Sequence, residues 1–535
     1  MFGAGRTFAC AGMALVILAS SIVVSIGVSA EDSTVAGADL TVSDIIWLDM
    51  YGTTESTVPT LTSGQPFTVM ATIENTGAKD AAGFSTDLYV DGALLGSLVT
   101  VDGLAAHGTL SVAWPGVIAS DCVQHEATVI TDPLDQVAEC NPEGTAEANN
   151  EMTEMFDIVR AEWTFALYAD GDNNLEYYAY LDFLEMALVG TSPLVNLVVQ
   201  VDRIPGYSND SGNWTDAKRF LVTKGMEPLA GNAYEDLGEV NMGDGAVLTD
   251  FATDTFNRFR ANHTCLVLWD HGGSWYGGCC RDQTSSNDSL KTDEMRRALA
   301  EVVGSVGAKV DVIAFDACVM SAVEICYAFE GLCDDFVASE GLLAGTGWPY
   351  DDILQRLADS PMTSPDEFCE IITVEHVEEY PSSSIATMSA FRVDAVCTDV
   401  RDALSMFADS LLAGLERYET QIKAARNAVY GFDIIMVSPY MDSYSADLYN
   451  FAEEVASRVS DDGIKAAAAN LMSTLEDSRI AFGIHVTYKP YGDVFGLMIF
   501  WPEAPAYLEE YQLERLSMDA TWDEFLLAYF GGWLG

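Results

Sequence analysis

A histidine and a cysteine each follow an apolar stretch of the kind that forms a buried strand. His271 lies two residues after Cys265–Trp269, and Cys318 lies three residues after Val310–Phe315. The carboxyl ends of neighbouring parallel strands meet at one edge of a sheet, where sites form. A thiolate is a nucleophile, and an imidazole can accept the thiol proton and later protonate a leaving amine. The spacing therefore predicts a catalytic Cys–His pair, although a cysteine at a strand end is ordinarily a small core residue.

Two neighbouring features would assist this chemistry. A helix is expected directly after the second strand, which would place Cys318 at a helix N-terminus, where the helix dipole lowers the pKa of a thiol. Gly272 leaves room for a substrate carbonyl beside His271. The N–H groups of Gly272 and Cys318 are therefore predicted to form an oxyanion hole.

An acidic residue lies close to the predicted nucleophile. Asp316 precedes Cys318 by two residues, and strand spacing would put both side chains on one face. A carboxylate disfavours a neighbouring thiolate unless it has another role, and pairing with an Arg or Lys side chain of the substrate would supply one. The alternative is that Asp316 caps a helix.

Strands and helices alternate from residue 160 to residue 535. The apolar stretches Trp163–Tyr168 and Val195–Val201 precede those already named, and the residues from Leu181 to Leu188 have helical spacing. Nearly continuous apolar strands that alternate with helices are typical of a mostly parallel sheet with helices on both faces. The sequence therefore predicts an α/β domain over residues 160–535.

Five segments of this domain resemble the clostripain family of cysteine peptidases and occur in the order found in that family. The matching segments are Tyr168–Leu175, Asp270–Trp275, Phe315–Cys318, Ser339–Glu340 with Gly347–Tyr350, and Trp522–Leu526. The resemblance implies a caspase-like α/β fold. It also implies that His271 and Cys318 are the catalytic dyad, that Asp316 forms the base of a pocket for basic side chains, and that the substrates are polypeptides with basic residues.

The resemblance has two further implications. Some members of the family bind calcium, so calcium is possible here, but no ligands are assigned and no other cofactor is expected. Members mature by internal cleavage at basic residues, and the polar stretch Arg281–Lys291 begins and ends with such residues. We therefore expect self-cleavage after Arg281 or Lys291, with an uncut loop that covers the cleft as the alternative.

The remaining metal-binding residue types give a weaker pattern. Cys279 and Cys280 could combine with His263 or His271, but the ligand spacing of a zinc site is absent. Asp170 and Asp172 are interpreted as acidic turn residues, with a role in the site as the alternative. No metal-ligating residues are therefore predicted.

In residues 37–157, by contrast, apolar residues recur at every second position. Phe67, Val69, Ala71 and Ile73 alternate with polar or less apolar residues, and Asp91-Gly92 separates two short strand patterns. Short strands with hairpin signals predict an all-β, immunoglobulin-like sandwich. The end of this stretch, Asp132–Asn150, resembles the CARDB domain, which implies an adhesion-type module that binds a cell-surface or extracellular ligand.

Composition and the N-terminus bear on partners and compartment. The chain has 535 residues, with 25 Lys and Arg against 82 Asp and Glu and a net charge of −57, which argues against a nucleic-acid partner. Residues 1–30 combine Arg6, an apolar run and a small-residue end, which predicts a signal peptide and secretion. An uncleaved N-terminal membrane anchor is the alternative. Cys122 and Cys140 are expected to form a local disulfide outside the cytoplasm.

Two functions from different classes fit these patterns. The first is a secreted cysteine endopeptidase that cleaves after Arg or Lys through His271 and Cys318, with the sandwich as an accessory module. The second is a surface adhesion or binding protein that carries an inactive peptidase fold.

Overall fold

The computed structural model describes most of the chain in two compact units. The described residues are 24–25, 37–50, 52, 61–100, 102–141, 144–380, 385–429, 431–433, 443–486, 494–502 and 508–531. One unit ends at Ala161 and includes Arg258–Arg260, and the other comprises Glu162–Asn257 and Ala261–Gly535. Of the predicted signal peptide, only Val24–Ser25 lies within the described residues, so that prediction is not tested by the structure.

The first unit is an all-β sandwich, as the sequence predicts. Its strands are β1 (Val24–Ser25), β2 (Leu40–Leu48), β3 (Leu61–Thr62), β4 (Phe67–Asn75), β5 (Phe84–Val90), β6 (Ala93–Thr100), β7 (Thr109–Val117), β8 (Gln124–Thr131) and β9 (Glu151–Val159). They form two sheets with the strand orders β1-β7-β4-β2 and β3-β9-β8-β5-β6. The inward residues of β4, predicted from the period of two, are buried in the core between the sheets. Asp91 and Gly92 join β5 to β6 with φ angles of 49° and 76°, as a tight hairpin turn requires.

The second unit contains the strands of the α/β domain. They are β10 (Ala161–Gly171), β11 (Val195–Arg203), β12 (Ala217–Leu221), β13 (Glu235–Gly238), β14 (Ala261–Trp269), β15 (Cys279–Asp282), β16 (Asp288–Leu290), β17 (Val310–Asp316), β18 (Cys333–Ala338), β19 (Ile385–Arg392), β20 (Gly431–Asp433), β21 (Ser443–Asp447), β22 (Arg479–Val486) and β23 (Met498–Phe500).

Helices lie between these strands along the chain. They are α1 (Glu176–Val189), α2 (Gly245–Arg258), α3 (Ser274–Gly277), α4 (Thr292–Val306), α5 (Val323–Ala328), α6 (Tyr350–Asp359), α7 (Pro365–Glu379), α8 (Val393–Ala395), α9 (Arg401–Arg426), α10 (Leu448–Arg458), α11 (Asp462–Ser478), α12 (Leu508–Tyr511), α13 (Arg515–Asp519) and α14 (Trp522–Gly531). No helix among the described residues is both long and apolar enough to cross a membrane.

A nine-stranded sheet organises the second unit, in the order β13-β12-β11-β10-β14-β17-β18-β19-β22. Strand β10 pairs in parallel with β11, β14 with β17, and β17 with β18. The outer strands β12, β13, β19 and β22 pair antiparallel, a feature that the apolar-stretch pattern did not predict. All nine residues of β11 are buried, as expected for a strand covered on both faces. The predicted caspase-like α/β class is confirmed, with antiparallel strands on both sides of its parallel centre.

The expected disulfide of the sandwich is not formed. Cys122 and Cys140 are both free thiols. The backbone N–H of Cys140 donates to the carbonyl of Ala38, two residues before β2.

Candidate active site

The pairing of β14 with β17 determines where the two reactive residues lie. The two strands are parallel, and their register places Trp269 opposite Asp316. His271 follows Trp269 by two residues, and Cys318 follows Asp316 by two residues. Both therefore leave the same edge of the sheet from neighbouring strands, as the sequence predicts for a pair of residues far apart in the chain.

Gly272 lies against the backbone of Cys318. A Cβ atom at position 272 would lie 2.1 Å from the carbonyl oxygen of Cys318 and 3.0 Å from its amide nitrogen. Real Cβ atoms essentially never approach backbone so closely, so only glycine fits without a shift of one of the two loops. The predicted role of Gly272 in an oxyanion hole requires this close approach of the two loops.

Cys318 lies in a turn and not at a helix N-terminus. Strand β17 ends at Asp316, and α5 begins only at Val323, so the helix that was expected to lower the thiol pKa starts too late to do so. Val319, in the same turn, has a φ of 52°. Burial raises the pKa of the Cys318 thiol, and the N–H of Leu343, which donates to Sγ over 3.3 Å, partly offsets this effect. The predicted dipole activation is therefore wrong, and burial leaves the Cys318 thiol with a pKa above its usual value.

Accessibility singles out Cys318 among the thiols of the second unit. The other cysteines of the second unit are all buried, whereas Cys318 is partly exposed. Cys279 and Cys280 lie side by side with their sulfur atoms 3.7 Å apart, and burial raises the pKa of Cys280 well above its usual range. These two thiols are unsuited to attack a substrate.

The surroundings of His271 favour its neutral form. Burial lowers the pKa of the imidazole, and the positive charge of Arg281 lowers it further. Its Nε2 lies 3.0 Å from Oδ1 of Asn174, which can only accept, so Nε2 carries the proton and Nδ1 keeps a free lone pair. Asn174 belongs to the segment Tyr168–Leu175, which resembles the clostripain family, but no pattern in the sequence predicted that it contacts His271.

Asp316 is buried at the end of β17, two residues before the predicted nucleophile. Its Oδ2 accepts hydrogen bonds from the N–H of Trp348 and the hydroxyl of Tyr350, both over 3.0 Å. Burial raises the pKa of the Asp316 carboxyl to about 7. Within the described part of the chain, no Lys, Arg or His forms an ion pair with Asp316. The helix after β17 begins only at Val323, so Asp316 does not cap it.

A second carboxylate, which the sequence patterns did not reveal, is buried near Asp316. Asp182 on α1 accepts a hydrogen bond from the indole of Trp269 over 2.6 Å, and its Oδ1 is buried without a hydrogen-bond partner. Burial and the charge of Asp316 raise its pKa well above the usual range. A Cβ on Gly347 would lie 2.7 Å from Asp316 and 3.0 Å from Asp182, so this glycine leaves room at both carboxylates. Asp182 belongs to an ordinary helical pattern, and nothing in the sequence connects it to Asp316.

The stretch Arg281–Lys291, predicted to be a loop, is largely a hairpin. Strands β15 and β16 pair antiparallel around the turn at 283–287. Arg281 and Lys291 line a cavity of about 260 Å³ together with His271 and Gly272. The hairpin therefore borders the His271 side of the site.

Two family models match the chain, one within each of the two units. The clostripain family model matches residues 167–529, which is more than half of the chain, and the CARDB model matches residues 37–154.

Individual relatives are more distant. The chain is 29% identical over 224 residues to clostripain of Hathewaya histolytica, which covers 36% of this chain and 42% of that protein. It therefore spans less than half the length of that relative. A secreted C11 cysteine protease from Bacteroides thetaiotaomicron, solved with an irreversible peptide inhibitor, has a TM-score of 0.52 at 18% identity over 68% of this chain and 100% of that chain. An inactive zymogen C11 protease from Parabacteroides distasonis has a TM-score of 0.49 at 19% identity, over 68% of this chain and 99% of that chain. Such low identities show similarity of fold alone.

The contact between Gly272 and Cys318 gives a first test. Gly272→Ala would force the loops that carry His271 and Cys318 apart, so we expect loss of labelling at Cys318 by a thiol-directed peptide electrophile. Gly231→Ala is the matched control, because a Cβ there meets nothing within 4 Å. Equal labelling rates in Gly272→Ala and the wild-type protein, measured by intact mass, would contradict the close packing of the two loops.

Proposed function

Because the chain belongs to the clostripain family, we propose that it is a secreted cysteine endopeptidase that hydrolyses peptide bonds after Arg or Lys. The observation that carries this proposal is the parallel register of β14 and β17, which brings His271 and the partly exposed thiol of Cys318 to one edge of the sheet, close to the buried carboxylate of Asp316. The sandwich at residues 37–154 is proposed to be an accessory module for an extracellular or cell-surface ligand.

The proposed reaction uses Cys318 as the nucleophile and His271 as the base. Nδ1 of His271 accepts the thiol proton, and Sγ bonds to the carbonyl carbon of the scissile peptide. The N–H groups of Gly272 and Cys318 stabilise the oxyanion. The C–N bond then breaks, and His271 protonates the leaving amine. Water attacks the resulting thioester with His271 again as the base, which releases the acid product and restores the thiol.

Electrostatics support a basic side chain at the position before the scissile bond. Asp316 and Asp182 are buried together with no cation beside them in the described residues, and each therefore has a raised pKa. A guanidinium or ammonium group in the pocket would remove this repulsion and pair with Asp316. Glu185, whose pKa burial raises to about 7, adds a further negative group nearby.

The Cys–His pair is tested by substitution and covalent labelling. Cys318→Ala and His271→Ala should each lower kcat/KM about 10³-fold or more, and the double variant should be little worse, because the two residues act as a unit. An Arg-containing peptide electrophile should add one label per wild-type chain and none to Cys318→Ala, with buried Cys397→Ala as the control. Undiminished hydrolysis by Cys318→Ala would assign the chemistry to another group. A wild-type chain that neither cleaves nor labels would support the adhesion alternative.

Substrate specificity is tested through Asp316 and pH. With a carboxyl pKa of about 7, Asp316 is mostly protonated below that pH and mostly ionised above it. The ratio of kcat/KM for an Arg substrate to that for its neutral citrulline analogue should therefore rise about tenfold between about pH 6 and about pH 8. Asp316→Asn should remove this rise and lower kcat/KM for the Arg substrate about 100-fold. Equal losses for both substrates would show that Asp316 only supports the scaffold.

We also propose that the chain matures by self-cleavage after Lys291. Arg281 is held on both sides, since its N–H donates to Asp270 and its carbonyl accepts from Asn173. The backbone of Lys291 is hydrogen-bonded as well, since its N–H donates to Glu294 and its carbonyl accepts from the N–H groups of Glu294 and Met295. Lys291 is nevertheless the more exposed of the two residues and lies at the start of α4. A cut there would separate the hairpin from α4 and free the Lys291 side chain, which now donates to the carbonyl of Gly277 over 2.8 Å.

Intact-mass analysis tests the cleavage. Wild-type protein should yield two fragments, the second beginning at Thr292, whereas Cys318→Ala and Lys291→Gln should stay whole. A fragment that begins at Asp282 would assign the cut to Arg281. Cleavage of Cys318→Ala purified alone would assign it to a different protease, and an uncut but active wild-type chain would exclude obligatory processing.

A further inference from the structure

Two positively charged side chains line the cavity beside His271. The cavity has a volume of about 260 Å³, and its lining includes His271, Gly272, Arg281 and Lys291. In the proposed mechanism, His271 protonates the leaving amine, which belongs to the first residue after the scissile bond. The residues after that bond would therefore occupy this cavity, while the basic side chain before it pairs with Asp316.

Neither cation forms an ion pair with a carboxylate among the residues that the structure describes. The acidic residues of the same hairpin accept from other donors, Asp282 from two backbone N–H groups and Asp288 from a backbone N–H and a side-chain amide. Burial lowers the pKa of the Lys291 ammonium, and the charge of Arg281 acts in the same direction, against the opposite effects of Glu294 and Asp288. Two cations close together without ion pairs are a local exception in a chain with 82 acidic and 25 basic residues.

The two cations differ in the hydrogen-bond donors that they leave for a ligand. The ammonium group of Lys291 donates to two backbone carbonyls and to the hydroxyl of Ser289, which uses all three of its N–H groups. The Arg281 side chain forms a single hydrogen bond within the described residues, from Nη2 to Oδ1 of Asn287 over 3.0 Å. A guanidinium group has further N–H donors in a planar fork. Lys291 therefore contributes charge, and Arg281 contributes both charge and free donors.

The backbone of Arg281 is attached directly to the chain around His271. Its N–H donates to the carboxylate of Asp270, the residue before His271, and its carbonyl accepts from the side chain of Asn173 over 3.1 Å. Neither hydrogen bond involves the residues at the end of the hairpin. The proposed cleavage after Lys291 would therefore leave Arg281 in its place beside the base.

We propose that this cavity is a subsite for an acidic side chain in one of the first two residues after the scissile bond, with Arg281 as its direct partner. This inference rests on the proposed peptidase function and adds a second requirement for its substrates. The guanidinium fork matches the two oxygens of a carboxylate, and the charge of Lys291 supports the same ligand. Preferred substrates would thus have a basic residue before the cleaved bond and an acidic residue shortly after it. The cleavage proposed after Lys291 fits this preference, because Asp293 is the second residue after that bond.

Steady-state kinetics of the full chain on paired peptides test this subsite. The peptides have Arg before the cleaved bond, carry Asp or its neutral isostere Asn at the first or the second residue after it, and all end in amides. For at least one of the two positions, kcat/KM should be about tenfold higher for the Asp peptide, and this ratio should fall as NaCl is added, because salt screens partly exposed charges. Arg281→Gln should reduce the ratio to about one, and Arg281→Lys, which keeps the charge without the fork, should give an intermediate ratio. A change in the pKa of His271 affects both peptides of a pair equally, so the ratio reports on the subsite alone.

The controls separate this subsite from the overall charge of the chain and from the peptidase function. Lys224→Gln removes an exposed cation that does not line the cavity and should keep the full ratio. If Arg281→Gln fails to fold, the wild-type ratio and its salt dependence decide. Equal kcat/KM for the Asp and Asn peptides at both positions, or a full ratio in Arg281→Gln, would overturn the subsite and leave cleavage after Arg intact. A wild-type protein that cleaves none of the peptides would overturn the proposed function and the subsite together.

Discussion

The parallel pairing of β14 with β17 is the constraint on which the rest of the site depends. Its register fixes Trp269 beside Asp316, and from there each strand needs only two more residues to present its reactive side chain. The approach of Gly272 to Cys318 then follows from two loops that leave one edge of the sheet together. A slip of one residue in this register would point every side chain of the slipped strand to the opposite face.

Among the residues that the structure describes, buried carboxylates with no ion-pair partner recur at this edge of the sheet, at Asp316 and Asp182 and again around Asp202. Desolvation of like charges is unfavourable, so both groups weaken the empty fold. The same arrangement prepares each group for a positive ligand, because the ligand brings the missing charge and relieves the repulsion. The proposed substrate side chain would supply this charge at Asp316.

The sequence predicts those parts of this arrangement that depend on local patterns. Apolar stretches identify the central strands, and the residues directly after them include His271, Cys318 and Asp316. Contacts between distant elements leave no such pattern, so Asp182, which approaches Asp316 from a helix, was missed. The expected helix start at Cys318 was wrong because α5 begins five residues later, after a turn that contains a left-handed residue. The residues between the end of β17 and the start of α5 are as apolar as the strand and the helix themselves, so the sequence does not show where the turn lies.

The hydrogen bond from Trp269 to Asp182 has a consequence for the evolution of specificity. The indole that holds this pocket carboxylate belongs to the strand that ends just before His271. A substitution that reshapes the pocket at Asp182 would therefore release the tryptophan and disturb the base as well. In the proposed mechanism, substrate recognition and turnover are therefore coupled through Trp269. New substrate preferences are more readily acquired at positions that contact neither Trp269 nor its strand.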